Sequence, residues 1–355
     1  MLIQGSLIEL NKGLENLKSF IASMNNHRDL LLAIREHEII SGETNEPIII
    51  KTKDLLISHL QPDNKIFGYS SVIITMYGLL ENYIENLIKE YLEYLSSCIP
   101  KYNDLPIAIK NNHYELSASL INNLLLPKYK DKITKEFIIT NLYSCGNCKG
   151  LKHYKINIDA FAQHSYNFKE QSINEFFKSV GLSNITSLIK SNVFFREYIE
   201  AEDIEVENAF NILNDLAERR NRISHGTEEN NILDLDELSR YANYIGYFAN
   251  SLNSVLIEQA LPFIIQDGDN VVQIGYPIAI FTDKIIGVNI NNIKLSKGDT
   301  ILFEKPEGRF GYGIIRSLQI NRIDYDEIDP KGEDHQVGVE FDSKVKETYS
   351  LYSFT

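Results

Sequence analysis

The chain has 355 residues, 43% hydrophobic and 24% charged, which suits a soluble globular protein of two or three domains. No apolar run approaches the roughly 20 residues that a membrane-crossing helix needs. A formal net charge of −14 excludes a general nucleic-acid coat, because non-specific binding rests on neutralising phosphates; any nucleic-acid activity must use local basic patches.

The three cysteines, Cys98, Cys145 and Cys148, argue against a disulfide framework and for a reducing compartment. The first residues lack the basic-then-apolar layout of a secretion signal, so a cytoplasmic location is expected.

In chain order, residues 1–40 read as a helix, with Leu7, Leu10, Leu14, Leu17 and Ile21 spaced three and four apart. Residues 69–97 are the clearest helix: Ile73, Tyr77, Leu80, Ile84, Leu87, Ile88, Tyr91 and Leu95 recur on one face, and Pro100 stops it. Residues 101–190 are mixed, with a turn at Cys145-Gly-Asn-Cys148. Cys145 and Cys148, with His153 and His164 nearby, fall short of the paired clusters of a structural zinc site, and no metal is assigned to them. Residues 205–223 form a second amphipathic helix that Gly226 ends in the left-handed conformation. Asp234 and Glu237 have capping-box spacing and open a third helix, expected to run to about Ala260. From Leu261-Pro262 onward, short β-type runs separated by Gly and Asp turns suggest a small barrel. The expected fold class is α+β: an N-terminal helical extension (1–65), an all-α helical domain (66–261) and a small C-terminal β-barrel (262–355).

One segment carries chemistry. Glu218-Arg219-Arg220-Asn221-Arg222-Ile223-Ser224-His225-Gly226 places three arginines and a histidine within seven residues at a helix end. The arginine fork grips phosphate with two hydrogen bonds at once, and histidine transfers protons near neutral pH. Asparagine can orient a phosphate or a ribose. These parts suffice for RNA cleavage without a metal, by attack of the ribose 2′-hydroxyl on the adjacent phosphorus. Arg220 and His225 are five apart, so on one continuous helix they point about 140° from each other. They converge if the helix ends between them, or they meet counterparts across a two-fold axis. Basic residues in a last helical turn also complement the helix dipole without any catalytic role.

Arg220-Asn221-x-x-x-His225 resembles the Arg-polar-x-His signature of the HEPN superfamily. Residues 69–92 resemble that family's first core helix, with Glu81 at the position of its frequent acidic residue. Residues 161–182, FAQHSYNFKEQSINEFFKSVGL, resemble the segment between core helices in the RiboL-PSP-associated branch. The resemblance spans roughly residues 65–260. It implies a helical-bundle domain, a homodimer with a composite site, and endoribonuclease activity leaving 2′,3′-cyclic phosphates, with no cofactor. By that analogy Arg220 stabilises the phosphate and His225 is general acid, general base or the group that positions the 2′-hydroxyl. Asn221 orients the substrate or the histidine, and Glu81 supports Arg220 by an ion pair. Arg219 and Arg222 are candidate RNA contacts. The resemblance also implies a toxin or phage-defence role, with an antitoxin or activator as partner. A non-catalytic RNA-binding or regulatory protein, or a partner-binding subunit, is the alternative.

Residues 285–352 resemble the second domain of translational GTPases of the elongation-factor-Tu type. The likeness lies in the turn Lys297-Gly298-Asp299-Thr300-Ile301, the run SLQI and the run VGV. This implies tRNA or translation-associated RNA as substrate, with Lys294, Lys297, Lys305, Arg309, Arg316 and Arg322 as candidate backbone contacts. A barrel used only for packing or dimerisation is the alternative.

Overall fold

The computed structural model describes residues 3–41, 56–57, 62–146, 154–227 and 231–354. Cys148 and His153 of the cysteine turn lie outside them. The chain divides into two compact units: residues 3–90 with 162–253, and residues 91–161 with 254–354.

The first unit is helical. It holds α1 (Gly5–Ser41), the first part of α2 (Pro62–Cys98), α6 (Glu170–Lys178), α7 (Ile185–Ser191), α8 (Val193–Ala201), α9 (Asn211–Ser224) and the first part of α10 (Leu235–Asp267). The three-and-four spacing read in α1 is buried as expected: Leu10, Leu14, Leu17 and Ile21 are all core residues. α1 approaches α2 closely at Gly13, where an added Cβ would lie 2.5 Å from Leu79 Cδ2. On α2 the core face is Ile73, Tyr77, Leu80, Ile84 and Leu87, each 1% exposed or less. That helix begins seven residues earlier than its periodicity announces, with Pro62 at its first position, where a missing N–H costs nothing. Tyr83 donates its hydroxyl to Ala249 O of α10 at 2.7 Å, which gives a buried polar atom its partner. Phe195, Phe210, Tyr244 and Phe248 form an aromatic cluster with ring centroids 5.6–6.5 Å apart.

Two boundaries differ from the sequence reading. Residues 206–208 form a 3-10 turn, so α9 starts at Asn211 rather than at 205. α10 continues through Pro262 to Asp267; buried Leu261 and Ile264 flank the proline and carry the apolar face past it.

The second unit contains α3 (Ile107–Asn122), α4 (Lys135–Gly146), α5 (Ile158–Phe161) and an antiparallel sheet. Its helical part is pinned by a buried polar network. His113 Nε2 accepts from the Asn157 backbone N–H at 2.9 Å, so the ring proton sits on Nδ1, 3.1 Å from the Tyr102 hydroxyl. Asn157 in turn donates to Ser117 Oγ and Ile138 O and accepts from Asn141 Nδ2. Burial depresses the His113 pKa to about 4 and holds the ring neutral.

The sheet is built from β1 (Val271–Gly275), β2 (Ala279–Ile280), β3 (Ile285–Ile290), β5 (Thr300–Lys305), β6 (Arg309–Ile320), β7 (Ile323–Tyr325), β9 (His335–Phe341) and β10 (Ser350–Phe354). β4 (Leu295–Ser296) and β8 (Glu327–Ile328) make a separate pair. The strand order is β1-β10-β5-β6-β9-β3-β2, with β7 also on β6, and the sheet forms a half-barrel. The 12-residue β6 bends it: its first half pairs with β5, its second with β9, and the register slips between Ile315 and Ser317. Alternate residues such as Ile286, Val288, Ile301, Phe303, Val337, Val339 and Leu351 fill the interior. The Lys297–Ile301 turn behaves as its composition dictates. Gly298 has φ +91° and Asp299 accepts from the Ser296 backbone N–H at 2.7 Å.

Candidate functional site

The site lies wholly in the helical unit, at the C-terminal end of α9. Leu213, Leu216 and Ala217 are buried and fix the helix's rotation, which decides the fate of each arginine that follows.

Arg219 turns inward. It is 5% exposed and donates to Asp215 one turn back, to the Tyr69 hydroxyl at 2.8 Å and to Asn231 O. Tyr241 also donates to Asp215, at 2.6 Å. Burial disfavours the charge, but Asp215 and Tyr69 more than offset this, and the guanidinium stays charged. The RNA contact expected of Arg219 is thus replaced by a buried brace joining α2, α9 and the start of α10.

Arg220 turns to the rim. Its guanidinium carbon lies 5.0 Å from the centre of the Tyr77 ring, and Nη1 donates to Asn167 Oδ1 at 3.2 Å and Asn221 Oδ1 at 3.4 Å. Nε and Nη2, the side-on fork, donate to none of the described residues. Half of the guanidinium is therefore anchored, and the half suited to a bidentate phosphate contact is unused.

Asn167 sets this arrangement. A guanidinium only donates, so the Asn167 oxygen must face Arg220, and its Nδ2 donates to Asn221 Oδ1 at 2.8 Å. Asn221 thereby has its oxygen turned inward and its amide N–H groups left over. Asn167 is itself fixed on both sides. The Phe168 N–H donates to the Tyr77 hydroxyl at 2.9 Å, and Ser172 Oγ donates to Asn167 O at 2.7 Å. Burial pushes the Tyr77 hydroxyl up to about 12; the Phe168 N–H works against that and nearby Glu81 adds to it.

Glu81 does not pair with Arg220: among the described residues no ion pair joins them, and the face of Tyr77, one turn earlier on α2, takes the supporting role. The engaged carboxylate is Glu85, 2.8 Å from His164 Nε2, while His164 Nδ1 donates to Tyr166 O at 2.9 Å. This half-buried pair, 7% and 15% exposed at the side chains, anchors the start of the 164–168 segment that carries Asn167.

His225 is the C-cap of α9, exposed, with a side chain that bonds to none of the described residues. The helix stops one residue later, as Gly226 implies. With φ +68° there, Gly226 N–H bonds Ile223 O and Thr227 N–H bonds Arg222 O, both at 3.0 Å. Helical bonding persists through His225, whose N–H bonds Asn221 O, so the chain does not turn between Arg220 and His225. Arg222 is half-buried.

Of the six basic residues of the C-terminal part expected to contact RNA, four have a carboxylate partner, while Lys305 Nζ lies 5.9 Å from the centre of the Tyr349 ring and Arg322 pairs with no carboxylate among the described residues. Lys294 pairs with Glu327 and Lys297 with Asp326, both at 2.8 Å; Arg309 pairs with Glu307 at 3.5 Å and Arg316 with Asp342 at 3.4 Å. Cys145 is buried and its thiol donates to Lys155 O at 3.3 Å.

Sequence reading missed Asn167, Tyr77 as a platform, and the Glu85–His164 pair. The available signal was the run His164-Ser-Tyr-Asn167, which lies inside the stretch 161–182 that resembles the family.

A helical bundle with an arginine and a histidine on one exposed helix end defines the class. The family model for RiboL-PSP-HEPN matches residues 44–258, and the chain belongs to that family. No curated protein and no solved structure matches it. Among the described residues no helix is long and apolar enough to cross a membrane.

Proposed function

We propose that the protein is a metal-independent endoribonuclease whose site combines Arg220, Asn221 and His225. The observation that carries this reading is the half-anchored guanidinium of Arg220, which offers its free side-on fork on the same helix end as the solvent-facing imidazole of His225.

The reaction needs a proton removed from the 2′-hydroxyl, a P–O2′ bond formed, the P–O5′ bond broken and a proton delivered to the departing 5′-oxygen. Nε and Nη2 of Arg220 neutralise the extra charge on the phosphorane-like transition state. The Asn221 amide donates to a non-bridging phosphate or ribose oxygen. His225 handles a proton. Because helical bonding runs through His225, Arg220 and His225 of one chain diverge by about 140°. One phosphate is therefore gripped by Arg220 of one chain and served by His225 of a second, across a two-fold axis.

Of the RNAs, tRNA or another translation-associated RNA is favoured by the likeness of residues 285–352 to a translation-factor barrel, and a toxin or defence role accompanies that choice. Lys294, Lys297, Arg309 and Arg316 reach such an RNA by exchanging a carboxylate partner for a phosphate.

The test is incubation with total tRNA, mRNA and rRNA in EDTA, beside the His225→Ala variant, with analysis of fragment ends. Cleavage that survives chelation, needs His225 and leaves 2′,3′-cyclic phosphate supports the reading. Intact RNA in every case overturns it in favour of a non-catalytic RNA-binding protein.

A further inference from the structure

Charge is distributed unevenly in this acidic chain. Residues 101–155 hold nine lysines and four acidic residues, against a chain total of −14. Four of the nine fall between Lys128 and Lys135, on a compact turn and the start of α4. Backbone bonds from Lys130 N–H to Leu126 O and from Lys132 N–H to Tyr129 O fold the turn, and Thr134 Oγ1 caps α4 by accepting from the Phe137 N–H at 3.1 Å.

Lys130, Lys132 and Lys135 are exposed and form no ion pair among the described residues, unlike the paired cations of the sheet. They also sit at the wrong end of a helix. The N-terminus of α4 is its positive end, where cations are destabilising, and Glu136 alone offsets them. A local pattern that costs stability marks a place where something else supplies the missing negative charge.

The neighbouring surface is aromatic. Lys135, Ile139 and Tyr143, each four residues on, share one face of α4, and Ile139 and Tyr143 are 57% and 65% exposed. Phe137, 52% exposed, rims a cleft of about 270 Å3. That cleft is walled mainly by apolar side chains such as Leu120, Ile133 and Ile156, which suit the flat face of a base, with Asn141 and Lys155 among its polar lining residues. Asn141 is 4% exposed and spends a side-chain N–H on Asn157 Oδ1, while its side-chain oxygen Oδ1 accepts from no described residue.

We propose that this surface binds single-stranded RNA, with Lys130, Lys132 and Lys135 on phosphates, Tyr143 stacked on a base, and a second base turned edge-on into the cleft. A single strand supplies both the phosphates the lysines lack and flat bases with donor and acceptor edges. A lipid surface supplies phosphates too, but it offers no flat base for the apolar cleft and no donor for the Asn141 side-chain oxygen. The proposal concerns binding and is independent of the chemistry at His225.

The test uses the full chain carrying His225→Ala, so that the probe is not consumed, and a short fluorescein-labelled single-stranded RNA followed by anisotropy across a salt series. Adding Lys130→Ala, Lys132→Ala and Lys135→Ala should weaken binding at least ~10-fold at low salt and flatten the slope of log K against log salt by about 2. Tyr143→Ala alone should weaken binding about tenfold with the slope unchanged, as loss of a stacked base does. Circular dichroism should show both variants folded, since all four side chains are exposed. Equal affinity and slope in the triple variant would overturn the proposal. So would absence of RNA binding, or binding of phosphatidylglycerol vesicles in its place. The nuclease reading fails separately: with His225 restored, RNA that binds here but stays intact sinks that reading and leaves this one standing.

Discussion

The guanidinium of Arg220 lies over the face of Tyr77, 5.0 Å from the ring centre, and this contact links the exposed end of α9 to the buried face of α2. An arginine laid on a ring is held in plane without spending its hydrogen-bond donors, which leaves the side-on fork for a ligand. The amide of Asn167 then fixes the remaining rotation.

Asn167 is accordingly a positioning residue, and its two contacts can be separated. Asn167→Asp keeps an acceptor for Arg220 but loses the donor to Asn221 and places a carboxylate beside the guanidinium. Under the proposed mechanism it should lower kcat/KM for RNA about 100-fold, close to the cost of losing one transition-state donor, with little change in chemical denaturation. Asn167→Ser, which keeps a smaller polar group, should fall between. An Asn167→Asp protein with parental kinetics would remove the residue from the site.

Adjacent arginines should behave as opposites. Arg219 is buried among Asp215, Tyr69 and Asn231, so Arg219→Ala leaves Asp215 without its cation and opens a gap in the core. A cost of about 3 kcal/mol is expected from urea unfolding. Arg220→Ala removes a rim residue and should cost under about 1 kcal/mol while abolishing cleavage. A reversed pattern, with Arg220 stabilising and Arg219 dispensable, would mean that α9 is rotated from the orientation described.

His113 gives a pH dependence with a defined sign. Its folded pKa of about 4 lies below the ordinary imidazole value of about 6.5, so between those values the unfolded chain binds a proton that the folded chain refuses. Stability from this residue is complete above about pH 6.5 and is lost as pH falls toward 4, by up to about 3 kcal/mol. His113→Gln should flatten that part of the profile. Guanidinium unfolding at pH 7 and pH 5 measures the difference; an equal acid loss in both proteins would place the effect elsewhere.

What was legible in the sequence was whatever a local rule decides. Gly226 ends α9 because a left-handed residue is needed there, and the Asp234–Glu237 box closes reciprocally at 3.0 and 2.8 Å. The runs after residue 270 become strands, as their alternation and turn signals imply, but their order in the sheet, β1-β10-β5-β6-β9-β3-β2, follows no local rule. What was not legible depended on partners far along the chain. Arg219 and Arg220 are alike as letters; one meets Tyr69, 150 residues away, and the other Tyr77. Glu81 sits where an ion pair was expected, but a tyrosine one turn earlier takes the arginine. The proline at 262 has the form of a helix stop, and buried neighbours on both sides override it.

The divergence of Arg220 and His225 on one helix makes the composite site testable by mixing. Arg220→Ala chains keep His225, and His225→Ala chains keep Arg220. If each site takes its arginine from one chain and its histidine from the other, a mixed dimer rebuilds one complete site and loses the second. Two inactive proteins, unfolded together and refolded, should then regain about a quarter of the parental rate on statistical mixing. The rebuilt activity should be absent when the same proteins are mixed without unfolding if exchange is slow, and should scale with the fraction of mixed dimer seen by native mass spectrometry. If mixed dimers form and stay inactive, both groups act from the same chain, and the 140° divergence must be closed by a movement of the residues around His225 when RNA binds.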